Sequence, residues 1–194
     1  MFFSFAEIFD IIIMAFAIGF IFKDVFKYAP KVEVFTPEYY IKKARFKWND
    51  FWFAVAVVAP SIILHEFGHK FVALAFGMSA VFHAAYTWLV IGIIMKLINF
   101  GFIFFVPAYT LISGGVSHSQ MAMVAVAGPL VNLVLWLGAK LALSQQKKLK
   151  LSRLNQHLLF LVSRINMFLF IFNMLPIPGF DGYSFFSSIF KVLF

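Results

Sequence analysis

The chain contains no cysteine, which excludes disulfides and thiolate metal sites, so any bound metal must take histidine and carboxylate ligands. Charge is scarce as well. Of 194 residues only 12% are charged and 63% are hydrophobic, with a mean hydropathy of +0.94, whereas soluble domains carry about 25% charged and about 45–50% apolar residues. A soluble domain of this size could not hide so much apolar surface, and no polar stretch is long enough for a large soluble appendage. Internal repeats and low-complexity tracts are absent too. Acids are few, giving a net charge of +8. Lysines at membrane borders, meeting anionic headgroups, explain that excess better than nucleic acid does, so a lipid bilayer is the expected partner and nucleic acid is not.

The apolar material falls into spans. Phe2 to Phe22 carries Glu7 and Asp10 and has no Lys or Arg before it, unlike a cleavable signal peptide, and reads as a retained membrane helix. Residues 23–50 form the one long polar segment, basic and broken by Pro30 and Pro37, in which Val32 to Phe35 could make a short strand. Phe51 to Phe76 is long enough to cross with tilt. Pro60 within it suits a kink, and Gly77 ends it as a helix C-cap. Ala84 to Asn99 reads as a helix interrupted by Lys96, followed by the strand-favouring run Phe102 to Val106, which Pro107 stops. Extended backbone at membrane depth must be buried in protein or line a cavity, so residues 84–113 read as a re-entrant helix and strand. Met121 to Leu143 and His157 to Leu175 are two more spans, and Tyr183 to Phe194 is an apolar tail too short to cross.

Charge bias tests this layout. The loops 23–50 and 144–156 are both basic and should share one side of the membrane, which requires that 84–113 make no net crossing. His65 and His69 then lie in the far half of their span, and Asp181 follows a span running to that same side. The expected fold is an all-α polytopic membrane protein, with about four transmembrane helices and a re-entrant helix/strand element around an intramembrane metal site. Residues 1–50 would form an N-terminal helix with a basic connection, and 51–194 the core.

Chemistry concentrates in His65-Glu66-Phe67-Gly68-His69. Residues four apart share a helix face, so the two histidines can hold one metal, while Glu66 can serve as general base to a water on it. Ionisable groups at membrane depth are costly and usually mark function. Two prolines and two glycines in the run from Asn173 to Gly182 must unwind a helix end and present Asp181, a candidate third ligand; a cap for the following helix is the plainer role for that aspartate. Two histidines and a carboxylate leave a position open on zinc, as catalytic sites do. Nothing suggests redox chemistry, so zinc is preferred, one per chain, although iron accepts the same ligands.

Three stretches, His65 to His69, Gly128-Pro129-Leu130-Val131-Asn132 and Asn173 to Gly182, resemble in order the three signatures of the site-2 protease family of intramembrane zinc metalloproteases. Phe100 to Gly115 is similar to that family's membrane-embedded strand segment. The resemblance implies zinc on His65, His69 and Asp181, with Glu66 as catalytic base. It gives Asn132 a role in positioning substrate or stabilising an oxyanion, beside the plainer one of a helix–helix hydrogen bond, and Asn173 a structural role in the unwound segment. His83, His118 and His157 match no ligand of the family. The partners implied are transmembrane protein substrates, cleaved where their helices unwind, and a strand such as Phe102 to Val106 could hold the unwound stretch by strand addition. The alternative is an inactive scaffold or chaperone of the same fold. The location implied is the cell membrane with a site toward the cytosol. The basic loops alone would put the site on the opposite side, and on orientation the resemblance is followed.

Overall fold

The computed structural model describes residues 3–28, 46–100, 106–115 and 117–194. In chain order these form α1 (Phe5–Phe22), α2 (Trp48–Ala75), β1 (Ser79–Ala84), α3 (Tyr86–Leu97), β2 (Ala108–Ser113), α4 (His118–Ser144), α5 (Arg153–Asn173) and α6 (Asp181–Leu193). Among the described residues, α1, α2, α4 and α5 are the four helices long and apolar enough to cross a membrane. The chain is therefore a polytopic membrane protein, as the four apolar runs predict. α3, with 12 residues, would extend about 18 Å as a helix, too short to cross.

Local chemistry starts the helices where the sequence supplies caps. Ser4 and Glu7 form a reciprocal capping box on α1, Ser117 and Gln120 do the same on α4, and Ser152 caps α5. Pro60 and Pro129 lie inside α2 and α4 without ending them. Just beyond α2, Gly77 adopts φ 77°, the left-handed conformation that glycine tolerates at a helix end.

β1 and β2 pair antiparallel, with Ser79 opposite Ser113, Phe82 opposite Thr110 and Ala84 opposite Ala108. Residues 85–107 thus leave and return at one point, so α3 is a re-entrant excursion and not a further crossing. Of the strand expected at Phe102 to Val106, Phe102 to Phe105 lie outside the described residues and Val106 is not in a strand, while the described strand β2 begins after Pro107. Proline lacks the N–H a ladder needs, but its carbonyl accepts from Ala85 N at 3.0 Å and closes the hairpin mouth. The possible strand Val32 to Phe35 also lies outside the described residues.

Helix α1 secures the hairpin. Glu7 and Asp10, three apart, share a helix face. Glu7 Oε1 accepts from Phe82 N at 2.8 Å and Asp10 Oδ2 from Ala84 N at 3.2 Å, so both carboxylates cover the outer edge of β1. Lys70 of α2 pairs with Glu7 and donates to Ala80 O at 2.9 Å, and Tyr86 bonds Asp10. Met14 and Ile18 of α1, Phe53 and Val57 of α2, Phe82 of β1 and Leu89 of α3 form the buried cluster behind these bonds. At the other end of α1, Lys96 donates to Asp24 at 2.6 Å. Burial pushes the Asp24 carboxyl up, but the bonds from Lys96 and Lys23 outweigh it and hold the group below its usual range.

Candidate metal centre

α2 and α4 approach closely because each carries glycine at the crossing. A Cβ on Gly68 would stand 2.8 Å from Ala127 O, and one on Gly128 would stand 2.7 Å from His65 Nε2 and closer still to His69 Nε2. Small residues permit such backbone approach in membrane helices. The α4 backbone therefore forms one wall of the pocket into which the α2 histidines point.

His65, His69 and Asp181 converge there, as the sequence predicts. His65 Nε2 lies 3.1 Å from His69 Nε2 and 3.1 Å from Asp181 Oδ2, and His69 Nε2 lies 3.3 Å from the same oxygen. Bonds of about 2.0–2.1 Å in a tetrahedral shell would separate ligand atoms by about 3.3 Å, so the three atoms stand at the spacing a zinc ion needs. Among the described residues this is the one group of three His, Asp or Glu side chains close enough to hold a metal. Asp181 is the first residue of α6. The N-cap position belongs to Phe180, and no side chain caps the helix, so the plainer role for Asp181 is not the one it fills. As a carboxylate, Asp181 has the form that ligates a metal.

The other ring nitrogens fix the tautomers. His65 Nδ1 is 2.5 Å from Asn132 Oδ1, and His69 Nδ1 is 2.8 Å from Val124 O. Carbonyl oxygens can only accept, so each Nδ1 carries the proton and each Nε2 turns its lone pair to the pocket. That is the usual outer support of a metal-binding imidazole. Asn132 is itself held: its Nδ2 donates to Ser61 O at 3.1 Å and to Asn166 Oδ1 at 2.8 Å, and Asn166 Nδ2 donates to Ser61 Oγ at 2.9 Å. Three spans, α2, α4 and α5, are thereby stitched beneath His65.

Glu66 is buried beside the ligands, and its Oε2 accepts from Thr110 Oγ1 of β2 at 2.9 Å. A cavity of about 630 Å³ opens from this point, lined by the three candidate ligands, Glu66, β2 and the apolar face of α5 that bears Ile165 and Phe168. Asn173, the last residue of α5, also lines it. The remaining histidines stand apart, as expected. His83 is in β1 against Tyr109, His118 starts α4, and His157 stacks on Phe53. Sequence reading did not single out Ser61, Thr110 or Asn166. Asn166 carried a usable signal, since an amide inside a membrane span must find a partner there.

Comparison with known proteins gives a relative over almost the whole chain. A protein of Methanocaldococcus jannaschii named "Putative zinc metalloprotease" is 32% identical over 181 residues, covering 93% of this chain and 83% of its own length. No family model matches the chain, and no solved structure does.

Proposed function

The chain belongs to the site-2-protease-like family of zinc metalloproteases that this relative represents, and on that premise we propose that it hydrolyses peptide bonds within transmembrane segments of other membrane proteins. The observation that carries the reading is the convergence of His65 Nε2, His69 Nε2 and Asp181 Oδ2, with both opposite ring nitrogens tied to carbonyl acceptors. Zinc bound by these residues would supply Lewis acidity, lowering the pKa of water toward neutrality and polarising a carbonyl.

The chain's own groups do the rest. Glu66 takes the proton of the attacking water and returns it to the leaving amine nitrogen, the task of a positioned carboxylate base. The cavity places this chemistry against apolar walls suited to a transmembrane substrate. A helical substrate hides its peptide bonds and must unwind to be cut. β2 offers an edge on the cavity along which an unwound stretch can pair. Asn132 holds the His65 ring in its ligating orientation. The site faces the cytosolic side of the cell membrane.

Metal analysis of the purified protein, paired with cleavage of a synthetic transmembrane substrate, tests the reading. About one zinc per chain is expected. Glu66→Gln should keep that zinc and lose cleavage by about 10²–10⁴-fold, because glutamine has the shape but cannot accept the proton. A zinc-loaded wild type that cleaves nothing would leave the inactive scaffold of the same fold. A Glu66→Gln variant cleaving at the wild-type rate would remove Glu66 from the mechanism.

A further inference from the structure

The bonds on the outer edge of β1 fix which backbone groups of β2 are free. Phe82 N and Ala84 N donate to Glu7 and Asp10, and Ala80 O accepts from Lys70. All three groups therefore point away from β2. In an antiparallel pair, such residues belong to the non-hydrogen-bonded positions, where both partners turn their N–H and C=O outward. Their partners are Thr110, Ala108 and Ile112. These three must direct their main-chain groups to the opposite edge of β2, and all three line the cavity at the candidate metal centre. Among the described residues no backbone hydrogen bond occupies that edge. Thr110 stands at its middle.

The Thr110 side chain has a second task. Its hydroxyl lies 2.9 Å from Glu66 Oε2 and 3.2 Å from Glu66 O, and its one proton goes to the nearer, charged acceptor. The other carboxylate oxygen of Glu66 has no partner among the described residues. Thr110 does not drift, because its strand partner Phe82 is fixed to Glu7 and fully buried. Val or Ile would favour a strand equally well; only a hydroxyl-bearing residue reaches the carboxylate.

Resting on the proteolytic reading above, we infer that Thr110 is a positioning residue that couples substrate docking to the general base. Its backbone N–H and C=O receive the unwound substrate strand, and its hydroxyl orients the Glu66 carboxylate. A substrate paired along β2 thus lies against the same residue that aims Glu66, so docking brings the unwound stretch to a base already directed at the attacking water.

The test compares Thr110→Val, which keeps the branched shape and loses the hydroxyl, with Thr110→Ser, which keeps the hydroxyl. Zinc content and KM for a synthetic transmembrane substrate should stay at wild-type values in both. In Thr110→Val, kcat should fall about ten- to hundredfold, the range for losing a hydrogen bond to a charged group, and Thr110→Ser should recover most of it. In a Glu66→Gln background the Thr110→Val change should cost nothing further, as for two residues acting as a unit. A readout independent of turnover is the Glu66 carboxylate stretch, isolated in ¹³C-glutamate-labelled protein as the band lost in Glu66→Gln. It should shift in Thr110→Val and return in Thr110→Ser. Wild-type kcat in Thr110→Val, an unshifted band, a serine variant as impaired as the valine, or a full further loss on top of Glu66→Gln each overturns the inference alone. A zinc-loaded wild type without cleavage overturns the proteolytic reading, and the role of Thr110 with it.

Discussion

Replacing Asn132 by leucine separates two roles that a buried asparagine could have at this site. Asn132 has no exposed surface, and its amide accepts from His65 Nδ1 while donating to Ser61 O and Asn166 Oδ1. Leucine has the same branched skeleton and none of these groups, so it strands a ring N–H and two oxygens out of reach of water. Each stranded polar group costs about 1–3 kcal/mol, and thermal unfolding in detergent should show a large loss. Removing the acceptor that orients a metal-ligating histidine costs about 10–100-fold in metal affinity, or about 1.4–2.7 kcal/mol. The assay is competition for zinc against a chromophoric chelator, followed by kcat at saturating zinc. If Asn132 supports His65, the zinc Kd rises and much of the activity returns when zinc is saturating. Asn166→Leu, one bond further from His65, should raise the Kd less. An unchanged zinc Kd with a depressed kcat would refute the argument, because the amide would then act on substrate or oxyanion and not on the ligand.

His65→Ala, His69→Ala and Asp181→Ala should each sharply weaken zinc binding in the same competition assay; stoichiometric zinc in all three would remove the site. Gly128→Ala should displace the histidine rings and abolish tight zinc binding, whereas Gly138→Ala on the same helix, where a Cβ meets nothing within 4 Å, should leave binding untouched and be neutral or slightly stabilising. Lys70→Met should destabilise the fold by about 3–5 kcal/mol by leaving Glu7 buried without its cation, and the double variant Glu7→Gln/Lys70→Met should regain most of that in unfolding experiments. Cysteines placed at Ser79 and Ser117 should label from the same side of the membrane, since Ser79 pairs with Ser113 and the chain has no native thiol to interfere; labelling from opposite sides would reject the re-entrant hairpin.

The spans and the candidate metal ligands were legible in the sequence because each rests on a strong local signal. Long apolar runs have few outcomes in a membrane, and a His-x-x-x-His pair on a helix shares a face whatever surrounds it. The third candidate ligand was legible from the run of prolines and glycines around Asp181, together with the side of the membrane on which the preceding span must end. The re-entrant reading of 84–113 followed from charge on distant loops, which constrains how many times the chain crosses without specifying a single contact.

The hairpin register and the polar contacts around the site were not legible, and the reason is physical. β1 and β2 are separated in sequence by α3, so neither strand announces its partner, and the six residues from Ser79 to Ala84 include two alanines and little β-branching. The densest strand-favouring run, Phe102–Val106, lies before Pro107, whereas β2 follows it. What places β1 is tertiary: two carboxylates three apart on α1 reach two amides two apart on β1. Glu7 and Asp10 could be recognised from sequence as unusual in an apolar helix, and at that level they argued only against a signal peptide. Their partners lie some 75 residues away. Backbone amides have no sequence signature, and a strand edge that must not be left unsatisfied at membrane depth recruits whatever acceptor the neighbouring helix can offer. Because those carboxylates cover β1, the hairpin's only open edge among the described residues is the one facing Glu66. The polar residues of α1, remote in sequence from every candidate ligand, thereby determine which edge of the hairpin stays open toward the site.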